Sequence, residues 1–305
     1  MSHMIGFIGL GVMGRAMSRN LLGAGYKVVV YDIAPEAVEN VVAAGAERGE
    51  SPKDVASRAD IIVTMVPDAA DVEQVLMGPD GVLEGARPRG RPKGHPGVIV
   101  IDMSSVSPMA SRKFSAACER KDVDFLDAPV SGGEPKAIDG TLAIMVGGKK
   151  EVLDRALPVL QAMGSTVTLT GPVGAGNITK LANQIMVAGN IVAMGEALVL
   201  AAKAGVDPEV VFNAVRGGLA GSTILDAKAP MLYSRDFKPG ARISLHEKDL
   251  RNALHTAESL GVPLPFTSMA QQMMRALMNT SRGDLDHAAL VLFTEHLAQV
   301  EVRKG

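Results

Sequence analysis

Short apolar runs alternate with longer amphipathic segments through the first half of the chain. Apolar runs bounded by glycine or polar residues predict buried strands, and the longer segments between them predict helices. The predicted strands are residues 4–8, 27–31, 61–66, 98–101, 124–127 and 142–146. This alternation indicates an α/β fold with a mostly parallel, doubly wound sheet.

The pattern changes after residue 171. Residues 177–203 keep a helical pattern without proline, about 40 Å long at ~1.5 Å per residue, and Gly205 is placed to end it. Residues 208–302 favour further helices with no strong strand signal. We therefore expect an α/β domain at residues 4–171 and an all-helical domain at residues 172–305, joined by the long helix.

A glycine-rich turn follows the first predicted strand and precedes a helix predicted at residues 15–24. Its sequence is Gly9-Leu10-Gly11-Val12-Met13-Gly14. In this context the glycines make a tight turn, admit a pyrophosphate to the backbone amides and pack helix on strand, as in a Rossmann-type domain. The second strand ends at Asp32, 18 residues past Gly14 and near the expected ribose-binding acid. Together these features predict dinucleotide binding over a merely structural turn.

Asp32 also bears on which dinucleotide binds. A carboxylate accepts hydrogen bonds from both adenosine ribose hydroxyls, whereas it repels a 2′-phosphate, which needs an arginine. The following residues, Ile33-Ala34-Pro35, supply no cation. The sequence therefore predicts NAD(H) in preference to NADP(H).

The predicted long helix begins with polar residues on one face. This face carries Asn177, Lys180 and Asn183 at intervals of three residues, and Gln184 follows directly after Asn183. A lysine on an otherwise apolar helix is costly to desolvate and is driven toward the neutral amine when buried. Such a lysine is suited to acid/base catalysis, and a solvated lysine is the alternative.

A small-residue loop, Val130-Ser131-Gly132-Gly133, follows the strand predicted at residues 124–127. Consecutive small residues can expose several backbone N–H groups as an anion-binding nest. The spacing alone leaves two interpretations open: a seat for a substrate carboxylate and an ordinary flexible turn.

Composition narrows the classes of function. At 305 residues with 47% apolar content and 33 glycines, the chain suits a two-domain α/β enzyme. Its net charge of −2 gives no global field for nucleic acid. The single cysteine, Cys118, excludes an intramolecular disulfide, is expected to pack in a helix and suits a reducing compartment.

Several other functional signals are missing from the sequence. The six histidines show no metal-binding spacing, and neither HExxH nor GxSxG occurs. No apolar run has the length of a membrane span without polar interruption, and Ser2-His3 resembles a cloning remnant. We expect a cytoplasmic protein without metal, membrane or nucleic-acid partners, with the basic segment Arg87 to Pro96 as a solvated loop.

Four segments, in order, resemble the signature motifs of the β-hydroxyacid dehydrogenase family. The resemblance runs from Met4 to about Arg303. The segments are Gly6 to Gly14, Asp127 to Gly133, Gly171 to Asn183, and Lys248-Asp249-Leu250. Residues 132–142 and 216–223 are similar in particular to the subgroup that reduces tartronate semialdehyde (2-hydroxy-3-oxopropanoate) to D-glycerate.

The resemblance implies roles for individual residues. Lys180 would be the general acid/base, and Ser131, Gly132 and Gly133 would hold the carboxylate of a small-molecule substrate. Asn183 would hydrogen-bond a hydroxyl or orient the lysine. Further cofactor contacts are implied at Ser104, Ser105 and Lys248, and the strand-end position of Val66 and Pro67 also predicts such contacts. The family resemblance implies a homo-oligomer, a tetramer or a dimer.

Three alternatives remain beside this reading. A 3-hydroxyisobutyrate dehydrogenase, or another short-chain β-hydroxyacid oxidoreductase, shares the fold, the lysine and the carboxylate loop. Imine reductases of similar architecture usually lack the lysine, so Lys180 argues against them. A catalytically silent NAD-binding sensor would have little reason to combine Lys180 and Asn183 with the small-residue loop.

Overall fold

The computed structural model describes residues 4–90 and 96–304. The remnant expected at Ser2-His3 and residues 91–95 of the basic loop lie outside the described residues. The chain divides into two compact units, one up to Lys180 and one from Leu181 onward.

Strands and helices alternate in the first unit, as the apolar pattern predicts. The strands are β1 (Met4–Ile8), β2 (Lys27–Tyr31), β3 (Glu47–Arg48), β4 (Ile61–Thr64), β5 (Ile99–Asp102), β6 (Asp124–Asp127), β7 (Val130–Ser131), β8 (Ala143–Gly147) and β9 (Thr166–Gly171). The helices are α1 (Val12–Gly23), α2 (Pro35–Val42), α3 (Pro52–Arg58), α4 (Ala69–Met77), α5 (Val82–Gly85), α6 (Pro108–Glu119), α7 (Gly133–Ile138) and α8 (Lys150–Gln161).

These strands form one sheet in the order β3-β2-β1-β4-β5-β6-β8-β7, with β9 paired to β8. The strands from β3 to β6 are parallel, and β8 is antiparallel to β6 and β7. The chain moves outward from β1 to β3 and then returns to place β4 on the other side of β1. The predicted mostly parallel, doubly wound sheet is thus confirmed, and its switch point lies between β1 and β4.

Element boundaries differ from the predictions in a few places. The strand predicted at residues 61–66 ends at Thr64, because the Val66 amide turns to bond the Ser104 hydroxyl. The helix predicted from residue 15 begins at Val12, directly after the glycine-rich turn. The sequence reading missed β9, whose Thr166–Gly171 residues are largely exposed and lack a buried apolar run.

Alternate residues of the central strands feed two hydrophobic clusters. Val28 and Val30 of β2 belong to one cluster, and Val29 between them belongs to the other. Because successive strand residues point to opposite faces, each face of the sheet has its own core. Cys118 is buried in the second cluster, which confirms its predicted packing role, and burial raises its pKa to about 12.

The described arginines of the basic loop bind their own unit. Arg87 donates to the carbonyl oxygens of Ser57 and Ala59 and pairs with Asp60. Arg89 pairs with the buried Asp124 carboxylate. These contacts engage both guanidinium groups within the fold.

The second unit is helical throughout its described residues, apart from one isolated bridge between Arg242 and Asp286. It begins inside the long helix α9 (Ala175–Lys203). Its further helices are α10 (Pro208–Val215), α11 (Thr223–Ser234), α12 (Ile243–Leu260), α13 (Pro265–Met278), a 3₁₀ turn (His287–Leu290) and α14 (Val291–Ala298). The glycine and proline residues near positions 217, 240 and 262 all fall between helices.

Helix α9 starts two residues earlier than predicted and ends at Lys203 as expected. By length and composition alone it is the one helix among the described residues that could span a membrane, with a mean hydropathy of 1.9 over its best window. Ala188, Ile191 and Val192 on this helix are buried in a core shared with α12 and α13. A core helix passes the same hydropathy test, so the length alone carries no membrane assignment.

Candidate active site

The glycine-rich turn after β1 contains glycines of two kinds. Gly9 has φ +96°, and a Cβ there would overlap the carbonyl group of Met65. A Cβ at Gly14 would overlap the Gly9 carbonyl oxygen, so both positions need glycine for packing. A Cβ at Gly11 meets no protein atom within 4 Å. Gly11 therefore leaves the backbone at the start of α1 open to a ligand such as a pyrophosphate.

Asp32 follows β2 and holds this turn. Its Oδ2 accepts a hydrogen bond from the Leu10 amide at 2.5 Å, and its Oδ1 accepts one from the Ala34 amide at 2.8 Å. Leu10 and Met13 pack against the core, while Val12 is exposed. A carboxylate has about four acceptor positions, so Asp32 can bind ribose hydroxyls while it braces the turn.

Asp102 ties together the two loops predicted to face the cofactor. Its Oδ1 accepts hydrogen bonds from Thr64 Oγ1 at 2.9 Å and from the Ser104 amide at 3.1 Å. Ser104 Oγ in turn accepts one from the Val66 amide at 3.0 Å. Ser104 is buried and Ser105 is half-buried, so the Ser104 hydroxyl serves the loop that contains Val66 and Pro67.

The Asp102 carboxyl group is fully buried at the end of β5. Burial raises its pKa to about 6, although hydrogen bonds from Ser104 and Thr64 lower it. Asp127, the last residue of β6, adds to the rise by its charge. Oδ2 of Asp102 has no hydrogen-bond partner among the described residues, so the sheet edge contains an incompletely satisfied carboxyl group.

The small-residue loop leaves β7 through two glycines with unusual backbone geometry. Gly132 has φ +139° and Gly133 has φ +69°, which are conformations that other residues rarely adopt. Ser131 and Gly133 are half-buried and Gly132 is exposed. The loop is therefore held in a specific glycine-dependent conformation, with the backbone accessible at Gly132.

Asp127, at the end of β6, holds the start of α9. Its Oδ1 accepts a hydrogen bond from the Gly174 amide at 2.7 Å, and its Oδ2 accepts one from the Asn177 amide at 2.9 Å. Burial raises its pKa, while these two hydrogen bonds lower it. A Cβ at Gly147 or Gly176 would press against Asp127, so both glycines make room for it.

Asn177 adds a second clamp at the start of the same helix. Its Oδ1 accepts a hydrogen bond from the Val106 amide at 3.1 Å, and its Nδ2 donates to Ser111 Oγ at 3.0 Å. Asn177 is fully buried. The first turn of α9 is thereby fixed to the segment that follows the Ser104-Ser105 loop.

Lys180 lies on α9 one helical turn after Asn177 and is 9% exposed. It is the last residue of the first unit. The clamps at Asp127 and Asn177 therefore set the position of the helical turn that carries the lysine. The burial expected for an acid/base lysine is present, and a freely solvated lysine is excluded.

The second unit contains Asn183 and Lys248. Asn183 Nδ2 donates to Gln184 Oε1 at 2.9 Å, and Gln184 Nε2 donates to Asp249 Oδ2 at 2.6 Å. Lys248 is 8% exposed, and its Nζ lies 3.4 Å from Asp249 Oδ1. The ion pair of Lys248 and Asp249 is therefore buried and does not lie on an exposed surface.

The structure thus gathers the predicted residues in two sets. The first unit brings the glycine-rich turn, Asp32, the strand-end loops, the small-residue loop and Lys180 to the carboxyl edge of its parallel strands. The second unit holds Asn183 and Lys248. Sequence reasoning missed Asp102 and Asp127 as organisers of the edge. The signal was available, because both residues end an apolar strand and precede small or hydroxyl residues.

Two family models match consecutive parts of the chain. Residues 4–171 match the NAD binding domain of 6-phosphogluconate dehydrogenase. Residues 174–294 match the model described as the NAD-binding of NADP-dependent 3-hydroxyisobutyrate dehydrogenase. The two matches assign a nicotinamide dinucleotide as the cofactor of this chain.

Individual relatives span almost the full chain. The 2-hydroxy-3-oxopropionate reductase of Escherichia coli (strain K12) is 42% identical over 96% of this chain and 98% of its own. The 2-(hydroxymethyl)glutarate dehydrogenase of Eubacterium barkeri is 38% identical over 99% and 98%. A solved structure of Mycobacterium tuberculosis 3-hydroxyisobutyrate dehydrogenase with L-serine has a TM-score of 0.86 at 34% identity, covering 96% and 99%. The names of these relatives point to different substrates on one fold.

Proposed function

Because this chain belongs to the β-hydroxyacid dehydrogenase family and is an NAD(P)-dependent dehydrogenase, we propose that it reduces tartronate semialdehyde to D-glycerate reversibly. The observation that carries the proposal is the buried Lys180 on a helix start that Asp127 clamps to the end of β6. The 42% identity to the 2-hydroxy-3-oxopropionate reductase supports the choice of substrate.

The residues of the first unit fit a nicotinamide dinucleotide. Gly11 leaves room for a pyrophosphate beside the N-terminus of α1, and Asp32 presents acceptor positions for ribose hydroxyls. Val66, Pro67 and Ser105 follow the ends of β4 and β5 and would line the nicotinamide side. The bound nicotinamide supplies the hydride in reduction and accepts it in oxidation.

In our proposal Lys180 donates and accepts the proton of the reaction. During reduction its ammonium group donates a proton to the aldehyde oxygen, which becomes the hydroxyl of the alcohol. During oxidation the neutral amine takes that proton back. Burial suits the lysine to this exchange because desolvation disfavours its charged form.

The small-residue loop would hold the substrate carboxylate. Ser131 offers a hydroxyl donor, and Gly132 and Gly133 offer backbone N–H groups without a side chain in the way. Asn183, one helical turn after Lys180, would contact a hydroxyl group or the lysine. These contacts would orient the carbonyl carbon for hydride transfer.

We also propose that the enzyme prefers NADH to NADPH. Asp32 stands where the adenosine ribose would bind, and Ile33 beside it is 90% exposed and carries no charge. A 2′-phosphate would meet a carboxylate with no cation in the adjacent residues. A kcat/KM with NADPH that equals or exceeds the value with NADH would refute this preference.

The substrate assignment is tested by steady-state kinetics with three compounds. NADH oxidation is measured with tartronate semialdehyde, and NAD⁺ reduction is measured with D-glycerate and with 3-hydroxyisobutyrate. A higher kcat/KM for the tartronate semialdehyde and D-glycerate pair supports the proposal. A higher kcat/KM for 3-hydroxyisobutyrate would make the protein a 3-hydroxyisobutyrate dehydrogenase, and binding of NADH without turnover of any of them would favour a sensor.

We propose that the protein forms a homo-oligomer, a dimer or a tetramer. Met186 and Leu200 on α9 are 62% and 72% exposed although the helix is apolar. Exposed apolar side chains on a long helix suit contact with another subunit. Light scattering coupled to size-exclusion chromatography gives the mass directly, and a monomer at all concentrations would contradict the proposal.

A further inference from the structure

Three side chains form a hydrogen-bonded chain in the second unit. Asp249 Oδ2 accepts from Gln184 Nε2 at 2.6 Å, and Gln184 Oε1 accepts from Asn183 Nδ2 at 2.9 Å. Asp249 is 5% exposed, so water does not compete freely for its carboxylate. The chain therefore connects a buried charge on α12 to the proposed substrate contact on α9.

The chemistry of these groups fixes the direction of the chain. An ionised carboxylate can only accept hydrogen bonds, so Gln184 must turn its NH₂ group toward Asp249. The side-chain oxygen of Gln184, Oε1, then faces Asn183. Because Oε1 can only accept, Asn183 must donate to it from its own NH₂ group. Asn183 Oδ1, which is an acceptor, is then turned away from Gln184, and the bond to Gln184 uses one of the two N–H groups of Nδ2.

The backbone carbonyl group of Gln184 contacts His246, which in turn contacts His287. His246 Nε2 lies 3.0 Å from the Gln184 carbonyl oxygen, and that oxygen can only accept, so Nε2 carries the proton. In a neutral His246, Nδ1 is then an acceptor for His287 Nδ1, 2.9 Å away. Both rings are buried. Gln184 is thus fixed through its backbone and its side chain, which leaves little freedom for the amide to turn over.

We propose that Gln184 and Asp249 are positioning residues that fix which way the Asn183 amide is turned in the active site. The group that Asn183 Oδ1 holds is then a proton donor, either the hydroxyl of the alcohol substrate or an ammonium group. An aldehyde oxygen, which can only accept, is excluded from Asn183 Oδ1. This inference rests on the proposed function, because that function places Asn183 at the substrate.

The inference predicts rescue by an exchange of side chains. In Gln184→Glu two carboxylates face each other, and in Asp249→Asn the new amide no longer dictates which way Gln184 turns. In the double variant, the amide at position 249 can donate its NH₂ group to the carboxylate at position 184. That carboxylate then accepts from Asn183 as Gln184 does in the wild type. Each single variant should lower kcat/KM for D-glycerate oxidation about tenfold or more, and the double variant should recover most of that loss.

Matched controls separate positioning from folding. Glu258→Gln removes a carboxylate from the exposed face of α12, and Asn190→Ala removes an exposed amide from α9; both should retain wild-type kcat/KM. Gln184→Met keeps the side-chain length without polar atoms and should lower kcat/KM while NADH binding, measured by fluorescence, remains. Thermal unfolding verifies that each variant is folded at the assay temperature.

The outcomes distinguish this inference from the proposed function. Turnover by the wild type, loss in the single variants and recovery in the double variant support the inference. A folded double variant no better than the weaker single variant, or an unaffected Gln184→Met, overturns it and leaves the reaction assignment intact. A wild type that binds NADH and turns over none of the three hydroxyacid and semialdehyde substrates overturns both.

Discussion

Asp102 and Asp127 are the last residues of the neighbouring parallel strands β5 and β6, and they lie side by side in the strand register. Both are buried, and burial raises the pKa of each. Asp102 braces the loops on the cofactor side, and Asp127 clamps the helix that carries Lys180. Two buried acids therefore hold the parts of the proposed active site in the first unit.

The Asp102 carboxyl group should make stability depend on pH. Its pKa rises from 3.8 to about 6 on folding, so between these values the folded protein keeps a proton that the unfolded chain has lost. Its contribution to stability is full below 3.8 and is lost as the pH rises through about 6. Relative to the wild type, Asp102→Asn should gain on the order of 3 kcal/mol in unfolding free energy from about pH 3.5 to pH 7.

Urea unfolding at several pH values measures this difference directly. Asp139→Asn is the matched control, because Asp139 is exposed, and its difference from the wild type should change little with pH. If the Asp102→Asn difference moves in the opposite direction as the pH rises, the buried carboxyl group does not titrate as described.

Removal of Lys180 should stop proton transfer without removing the cofactor site. General acid catalysis contributes about 10²–10⁴-fold, so Lys180→Ala should lower kcat by that factor while NADH still binds. Lys203→Ala, on the same helix but exposed, should retain activity. A loss of kcat below about tenfold would remove Lys180 from the acid/base role.

Two glycines of the same turn should respond differently to alanine. A Cβ at Gly14 overlaps the Gly9 carbonyl, whereas a Cβ at Gly11 meets nothing within 4 Å. Gly14→Ala should therefore lower the melting temperature. Gly11→Ala should keep the melting temperature near that of the wild type and weaken NADH binding, because its methyl group occupies the space of the pyrophosphate. Equal NADH affinity for wild type and Gly11→Ala would place the dinucleotide elsewhere.

Asp32→Ala should narrow the preference for NADH over NADPH. The substitution removes the carboxylate that repels a 2′-phosphate and also the acceptor that holds the Leu10 amide. NADH binding should therefore weaken while the ratio of the two kcat/KM values moves toward one. Glu36→Ala, an exposed acid on α2, should leave the ratio unchanged, and an unchanged ratio in Asp32→Ala would contradict the assignment.

Lys248→Ala should weaken NADH binding more than it changes kcat. The lysine is buried beside Asp249, and the family resemblance assigns it to the cofactor. Lys238→Ala removes an exposed lysine from the same unit and serves as the control. Titration of NADH in the absence of substrate gives the affinity, and equal values for Lys248→Ala and wild type would count against this role.

The fold was predictable where the sequence has a strong periodicity. The predicted strands are mainly apolar runs that alternate with helices, and the glycine-rich turn marks the first crossover, so the sequence predicted a mostly parallel, doubly wound sheet. The edge strand β9 was not predictable in this way. Two of its three alternating threonines, Thr166 and Thr168, are exposed, and pairing with β8 makes the segment a strand.

The residues that organise the candidate active site were harder to predict than the residues proposed to react. Lys180 and Asp32 stand out by their position in a motif. Asp102 and Asp127 act through contacts 38 to 50 residues away along the chain, and their position at a strand end does not indicate which residues they bind. The direction of the Asn183 amide likewise depends on Asp249, which lies on a different helix.

Helix α9 passes from one unit to the other without interruption, and the division falls just after Lys180. A chimera joined at this division would take its proposed proton donor from one parent and Asn183, with its supporting Gln184, from the other. Recombination between relatives with different substrates would therefore exchange half of the proposed catalytic pair. A chimera that is meant to exchange substrate specificity should therefore be joined outside this helix. Lys180 and Asn183 then come from the same parent.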